Sequence, residues 1–318
     1  MDSLLCIRPV WHEMIWGGEQ LWRTSGISAP AGRYGESWGI SAHKNGDCFV
    51  AGGMYDRMRL SELWDLHPEL FGGIPGISGS APGGDKFPLL VKFIAAEHNL
   101  SVQVHPDDGY AREHEHGDQG KFECWYIIKT SPHAVIIDGQ KARTASEFRS
   151  LMNDQKWDEI LNVVPIHEGD FLRISPGTVH AIQAGTLLLE VQQPSDITYR
   201  LYDYDRLDDT GRKRELHIKK ALDVIDFDQI PVSQPHHVDS DGQGIASLLD
   251  RDPFSVDLIT CEERITYQPS SSFTCLSVIQ GSGAINGVKS VAGSQFIATA
   301  QCQEIYIEGS IKVICSYI

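Results

Sequence analysis

The chain has 318 residues, 41% hydrophobic and 22% charged, proportions of an ordinary folded protein long enough for two domains or one elaborate one. A formal net charge of −16 argues against nucleic acid or an anionic membrane surface as a partner, and an anionic small molecule would need a local basic site set against that field. Seven cysteines, an odd number without a CxxC spacing, read as reduced, mostly buried thiols of a cytoplasmic protein. The N-terminal residues lack a basic stretch followed by a long apolar run, so no signal peptide is expected, and no apolar run is long enough to span a bilayer.

Residues 1–56 are rich in tryptophan and glycine and read as short strands between glycine turns, with Trp11, Trp16, Trp22 and Trp38 as core or interface anchors. Ser61 to Gly72 reads as a short helix capped by Ser61 and ended by Gly72. The Gly-, Ser- and Pro-rich stretch 73–85 is a surface loop. From Phe87 the texture is β. Leu89 to Ile94 is apolar apart from Lys92. In Ser101 to His105 the alternation sends Ser101, Gln103 and His105 to one face and Val102 and Val104 to the other, and Pro106 ends the strand. Glu123 to Lys129 and Ala134 to Asp138 are further strands, the second closing on an Asp138-Gly139 turn signal.

A small helical insertion occupies about 144–162. Strands return at Phe171–Ile174, Val179–Ile182 and Leu187–Gln193, broken by Gly169, Pro176-Gly177 and Gly185. Glu215 to Asp226 reads as an exposed helix, and the polar stretch 231–244 as a linker. Residues 245–318 repeat the earlier order of strand, turn and glycine-led strand, yet contain no histidine, so they read as a second β unit that serves packing.

Two imidazoles, a carboxylate and an amide on short strands suggest a divalent metal in the mouth of a small β-barrel. Gln103 and His105 reach the same space, and only a barrel would bring Glu123 and His180 to it. A single strand histidine is more often a satisfied core or surface residue; it is the set of His-Pro, Lys-x-Glu-x-Trp and Pro-Gly-x-x-His in this order that is specific. His114 and His116 stand in a run of charges with Glu113 and Asp118 and read as a solvated loop, and His98 lies nearby.

Four stretches carry a resemblance that runs over nearly the whole chain: Ser101-Val-Gln-Val-His-Pro-Asp-Asp, Gly120-Lys-Phe-Glu-Cys-Trp-Tyr, Pro176-Gly-Thr-Val-His-Ala-Ile, and Ser195-Asp-Ile-Thr-Tyr-Arg-Leu-Tyr-Asp-Tyr-Asp-Arg. The sequence resembles the cupin superfamily and, within it, the type I mannose-6-phosphate isomerases of the short bacterial kind. One departure stands out: Ser175 fills the place where cupins carry a proline, and Pro176 follows one residue later, while Gly177 and His180 keep their positions.

The resemblance implies a mostly β protein of two cupin-type jelly-roll β-barrels. These are a catalytic unit over 1–230 and a degenerate one over 245–318. It implies one zinc ion per chain bound by His105, Glu123 and His180, with Gln103 as a fourth ligand or a neighbour of the ligands. It also implies an isomerase that interconverts mannose 6-phosphate and fructose 6-phosphate through a metal-stabilised enediolate, with Arg200 in the active site.

Asp196 and Lys121 match positions near the substrate, and the sequence does not choose between them as proton carrier. Lys92, Ser101 and Lys121 are candidates for the phosphate. The expected partner is a phosphorylated sugar, and the expected assembly a monomer or homodimer. Two other readings remain at this stage. An iron-dependent cupin oxygenase is weakened by Gln103, which stands where such enzymes tend to place a histidine. A non-catalytic sugar-binding protein is weakened by the retention of Arg200, Lys121 and the metal positions.

Overall fold

Leu90–Ala96 and Thr186–Gln192 are buried along their whole length, which requires cover on both faces. In the computed structural model, which describes residues 3–208, 210–229, 231, 234–238, 242–250 and 253–318, they lie side by side at the centre of an antiparallel seven-stranded sheet. Its order is His236–His237, Asp170–Ile174, Glu123–Thr130, Thr186–Gln192, Leu90–Ala96, Tyr34–Ile40, Val10–Glu13. Successive side chains alternate. Val91, Phe93, Cys124, Tyr126, Leu189 and Val191 therefore point one way, against Val256, Leu258, Ile279 and Ile314 of a nine-stranded sheet. Ile94, Trp125, Ile127 and Leu188 point the other way, against Ile136, Val164 and Ile182 of a five-stranded sheet.

That third sheet runs Tyr199–Tyr202, Val102–Val104, His180–Ile182, Val135–Gln140, Leu161–Pro165. Its outer face carries Val102, Val104, Ala181 and Leu201, covered by Phe148, Trp157 and Leu222. The covering residues come from the helices Ala145–Asn153, Trp157–Ile160 and Ile218–Val224. The first two form the expected helical insertion, begun by Thr144, whose hydroxyl accepts from the Glu147 amide at 3.1 Å. The third was expected to be exposed. Ala221 and Leu222 are instead buried, because the apolar face of this helix closes the end of the five-stranded sheet.

The nine-stranded sheet runs Gly244–Leu249, Ser255–Cys261, Ile305–Tyr317, Thr274–Ile285, Gln295–Ala298, Leu4–Arg8, Phe49–Val50, with Arg264–Tyr267 and Val288–Val291 paired onto its long strands. None of the sheets closes on itself. Leu4 to Ile7 pair with Gln295 to Ala298, so the start of the chain is woven into the sheet of residues 244–317. Trp64 meets Phe71, Phe87 and Phe273 at ring distances of 4.9, 5.3 and 5.9 Å, and such pairs contribute roughly 0.5–1.5 kcal/mol each beyond area burial.

Several local expectations change. Ser61 does not cap its helix. Leu60–Leu66 starts at Arg59, and the Ser61 hydroxyl donates to Asp47 at 2.6 Å. A 3-10 turn, Pro68–Phe71, follows before Gly72 ends it. Asp138-Gly139 is not a turn either: Val135–Gln140 runs through it, and Gly139, at φ +93°, lies in the irregularity where pairing with Leu161–Pro165 shifts register. Within the expected linker 231–244, residues 232, 233 and 239–241 lie outside the described residues. His236–His237 there pairs with Asp170 and Phe171 and extends the seven-stranded sheet.

Candidate active site

The apolar filling between the seven- and five-stranded sheets gives way to polar side chains at one end. On the five-stranded sheet Arg200, Gln103, His180 and Asp138 are cross-strand partners in a single row, so all four face inward. On the facing sheet the matching row is Trp38, Lys92, Glu190 and Trp125. Glu123 starts its strand two residues before Trp125, on the same face, and His105 directly follows Val102–Val104. Alternation within short strands thus delivers the site, as the Ser101 to His105 pattern requires.

The ligand atoms of His105, Glu123 and His180 lie within 4.8 Å of one another. His105 Nε2 is 3.6 Å from one Glu123 oxygen and His180 Nε2 is 3.4 Å from the other. Both imidazoles are pinned from behind: His105 Nδ1 donates to the Ile197 carbonyl at 2.7 Å and His180 Nδ1 to the Thr178 carbonyl at 2.9 Å. A carbonyl only accepts, so the proton sits on Nδ1 and the Nε2 lone pair points into the site. Burial holds both rings below the ordinary histidine range, His180 at about 4, so they are neutral at physiological pH. Both Glu123 oxygens are buried; one faces the Lys121 ammonium at 2.7 Å and the other has no hydrogen-bond donor among the described residues. Two neutral imidazoles and an under-satisfied carboxylate, with lone pairs converging, form a donor set suited to a divalent cation such as zinc. Gln103 stands beside them, its amide nitrogen 3.3 Å from His180 Nε2. Its side-chain oxygen is the atom able to ligate.

The sequence turn Ser175-Pro-Gly-Thr ties the two histidine segments together. Thr178 N donates to the Ser175 carbonyl at 3.1 Å, Gly177 N to the His105 carbonyl at 2.9 Å. Gly177 has φ +84°, and a Cβ there would press on the Val224 carbonyl at 3.0 Å, so a side chain would cost strain. The displaced proline leaves this turn intact.

A compact charge cluster surrounds the ligands. Lys121 Nζ is 2.7 Å from Glu123, 3.8 Å from Glu190 and 3.4 Å from His105 Nε2. Lys92 Nζ is 3.4 Å from Glu190 and lies 4.8 Å from the Trp38 ring centre. Burial opposes charge on Lys121, but the Glu123 and Glu190 carboxylates outweigh it and hold the ammonium above its ordinary range. Burial likewise opposes charge on Glu190, yet Lys121 and Lys92 keep it below the usual carboxylate range. Glu123 is pushed up to about 7 by burial and by Glu190. Two ammonium groups and two carboxylates thus cancel in the interior.

A cavity of about 280 Å³ opens from this cluster, lined by Lys92, Ser101, Gln103, Lys121, Asp196 and Arg200 among others. Arg200 Nε donates to the Ser101 hydroxyl at 3.3 Å and its Nη1 to the Glu215 carbonyl at 2.8 Å. Asp196 is exposed to the cavity and accepts from the Asn45 side chain at 3.0 Å. Lys92, Ser101, Gln103, Lys121, Asp196 and Arg200 therefore line this cavity, and His105, Glu123 and His180 form the ligand cluster at its base.

Glu190 escaped sequence reasoning, although a charge inside the apolar run Leu187-Leu-Leu-Glu-Val is the same signal that marked Lys92. Trp125 Nε1 donates to it at 3.0 Å. Trp38, Asn45 and Arg214 carry no comparable signal. His114 is absent from the site and stacks near Tyr110 at 4.1 Å.

A family model described as the catalytic domain of type I phosphomannose isomerase matches residues 4–123. The mannose-6-phosphate isomerase ManA of Bacillus subtilis is 41% identical over 319 residues, covering 99% of this chain and 98% of that one. A crystal structure of the mannose 6-phosphate isomerase from Bacillus subtilis superimposes with a TM-score of 0.90 at 39% identity, over 99% of this chain and 100% of that one. A more distant mannose 6-phosphate isomerase, solved bound with zinc and yttrium, shares the fold at a TM-score of 0.74 and 14% identity, with 99% of each chain covered. With full-length relatives at this identity, the chain belongs to the type I mannose-6-phosphate isomerases and is an isomerase of that family.

Proposed function

We propose that this isomerase is zinc-dependent and interconverts mannose 6-phosphate and fructose 6-phosphate through an enediolate. The observation that carries the reading is the pair of imidazoles fixed at Nδ1 with both Nε2 atoms aimed at an under-satisfied Glu123. His105, Glu123 and His180 would hold the ion, with Gln103 as a fourth ligand or a neighbour of the ligands. Bound zinc supplies Lewis-acid stabilisation of negative charge on the sugar oxygens, without redox chemistry of its own.

The chain's own groups do the rest. Arg200 brings a permanent cation to the same oxygens, oriented by Ser101 and the Glu215 carbonyl. Lys92 and Ser101 bind the phosphorylated sugar. Lys121 keeps its proton because Glu123 and Glu190 stabilise the ammonium, so it acts as a donor toward a sugar oxygen. Asp196, exposed at the cavity, is our candidate to carry the proton between carbons 1 and 2.

We read residues 1–230 and 245–318 as two jelly-roll units of cupin type, open rather than closed, the second devoid of ligands and completed by the strands Leu4–Arg8 and Phe49–Val50 of the first. We place the enzyme in the cytoplasm, where its seven thiols stay reduced, acting as a monomer or homodimer. The test is direct. The purified protein carries about one zinc per chain by metal analysis and converts mannose 6-phosphate in a coupled assay, chelator abolishes that activity, and zinc restores it. Zinc-loaded protein inert toward this sugar overturns the reading.

A further inference from the structure

Three guanidinium groups gather around one carboxylate beside the cavity. Arg214 donates from Nε and Nη2 to the two oxygens of Asp203, at 2.8 and 2.6 Å. Arg206 shares the same carboxylate and is otherwise spent on the chain, donating to the carbonyls of Asp203 and Asn99 and lying over the Tyr204 ring. Arg200 bonds only a hydroxyl and a carbonyl, and no carboxylate is paired with it among the described residues. Only Asp203 is bonded to these guanidinium groups, and only by two of them; Glu215 acts on Arg200 from a distance, so Arg200 keeps a charge that no bonded carboxylate neutralises among the described residues.

Arg200 and Arg214 both line the sugar cavity, with Ser101 between the sheets beside them. The placement of Arg214 follows from its neighbours. Glu215 and His217 bond to Arg200 through the Glu215 carbonyl and the His217 ring and amide, so the chain leading into Ile218–Val224 is laid against the strand Tyr199–Tyr202.

The other cations of the cavity are already committed. Lys92 is paired with Glu190, and Lys121 with Glu190 and Glu123. Burial and the like charges of Arg214 and Arg206 hold Arg200 below its ordinary pKa, with Asp203 opposing in part. An incoming dianion relieves that repulsion.

We infer that Arg214 determines specificity for the phosphate group, taking its oxygens together with Ser101 on the side of the cavity where Arg214 is held by Asp203. The inference rests on the reading of this cavity as the site of a phosphorylated sugar. It adds a residue that the sequence motifs do not mark. Arg214 already uses Nε and Nη2 on Asp203 in a fixed fork, and Nη1 has no protein acceptor among the described residues, so the group that faces phosphate is held in place before the substrate arrives.

The test compares mannose 6-phosphate with unphosphorylated mannose on zinc-loaded enzyme, and inorganic phosphate as a competitive inhibitor. Arg214→Gln keeps a hydrogen-bonding group beside Asp203 but removes the charge. It raises KM for mannose 6-phosphate roughly 10- to 100-fold and weakens phosphate inhibition by a similar factor, while kcat/KM for mannose holds. Arg214→Lys keeps the charge without the fork and weakens phosphate inhibition by a smaller factor, which serves if the glutamine variant does not fold. Equal losses on both sugars, or phosphate inhibition unaltered in these variants, overturn the inference. If the wild-type enzyme does not turn over mannose 6-phosphate, the isomerase reading fails on its own. Protection of the wild type by inorganic phosphate against thermal unfolding, lost in Arg214→Gln, then still supports the role of Arg214, and protection kept in the variant overturns it.

Discussion

The site-bearing sandwich and the nine-stranded sheet are built from the same strand, turn and glycine texture, and they treat buried carboxylates in opposite ways. In the nine-stranded sheet the Asp257 carboxylate accepts from the hydroxyls of Tyr267 and Tyr317 at 2.8 and 3.2 Å, and Ser277 donates to Gln295 at 2.7 Å. The Asp257 carboxylate is thus satisfied by neutral hydroxyls, while the Gln295 amide nitrogen and the Thr274 hydroxyl are single buried groups left without a partner among the described residues. In the sandwich, Glu123 shares one oxygen with the Lys121 ammonium and turns the other toward the His180 Nε2 lone pair, and Glu190 meets Lys92 and Lys121. A buried polar group costs free energy unless it is paired. A carboxylate closed off by hydroxyls therefore marks a structural role in one region, and the convergence of a carboxylate with two imidazoles and two ammonium groups marks a site for an ion and a substrate in the other.

Breaking the convergence tests that contrast most severely. His180→Ala removes one of the pinned imidazoles, so zinc content measured on the purified variant falls to near zero and turnover drops roughly 10³-fold or more. A variant that keeps its zinc would move the metal away from this cluster. A smaller effect comes from Arg200→Ala, which touches no ligand. Zinc content stays at the wild-type value and kcat falls roughly 10²- to 10³-fold, the scale of a lost electrostatic stabiliser. A change confined to KM would make Arg200 a ground-state contact alone.

The rim of the site sharpens the comparison through pH. Asp203 is opposed by burial but held below the usual carboxylate range by Arg214 and Arg206. A carboxyl whose folded pKa is depressed adds stability that is fully present above its unfolded pKa of about 3.9 and is lost as pH falls through the folded value. Asp203→Asn therefore costs about 1 kcal/mol at neutral pH in denaturant titrations, discounted for partial exposure, and the difference from wild type closes as pH falls below the ordinary carboxylate range and through the depressed folded pKa. A cost that persists unchanged in acid would assign it to packing instead of charge.

Much of the site was legible because strand alternation is local. The period of two in Ser101 to His105 puts Gln103 and His105 on the inner face and Val102 and Val104 under the helices, as observed. What the sequence conceals is pairing across long separations. Nothing local in Leu4–Arg8 says that it joins Gln295–Ala298, and nothing in Tyr199–Tyr202 says that it borders Val102–Val104. Burial on both faces also hides meaning: Glu190 sits in a strand so uniformly apolar that its neighbours give no face to read. The helix Ile218–Val224 looked exposed for the reverse reason, since its covered face is made by strands far earlier in the chain. Asp138-Gly139 shows a third limit, because a turn dipeptide serves equally well in a bulge.

The smallest expected effect lies in the region without chemistry. Tyr267→Phe deletes one of the two hydroxyls on Asp257, and Tyr317 remains at 3.2 Å to keep the carboxylate from being stranded. The loss is then that of a single hydrogen bond to a charged group with partial compensation, about 1 kcal/mol, and it shows as a Tm lower by roughly 2 °C in a chain of this size. Zinc content, kcat and KM all hold at wild-type values, because no group of this cluster reaches the cavity. A fall in kcat at unchanged zinc content would mean that the nine-stranded sheet positions the site across the shared face of Val91, Phe93 and Leu189, and the division of labour between the two regions would no longer stand.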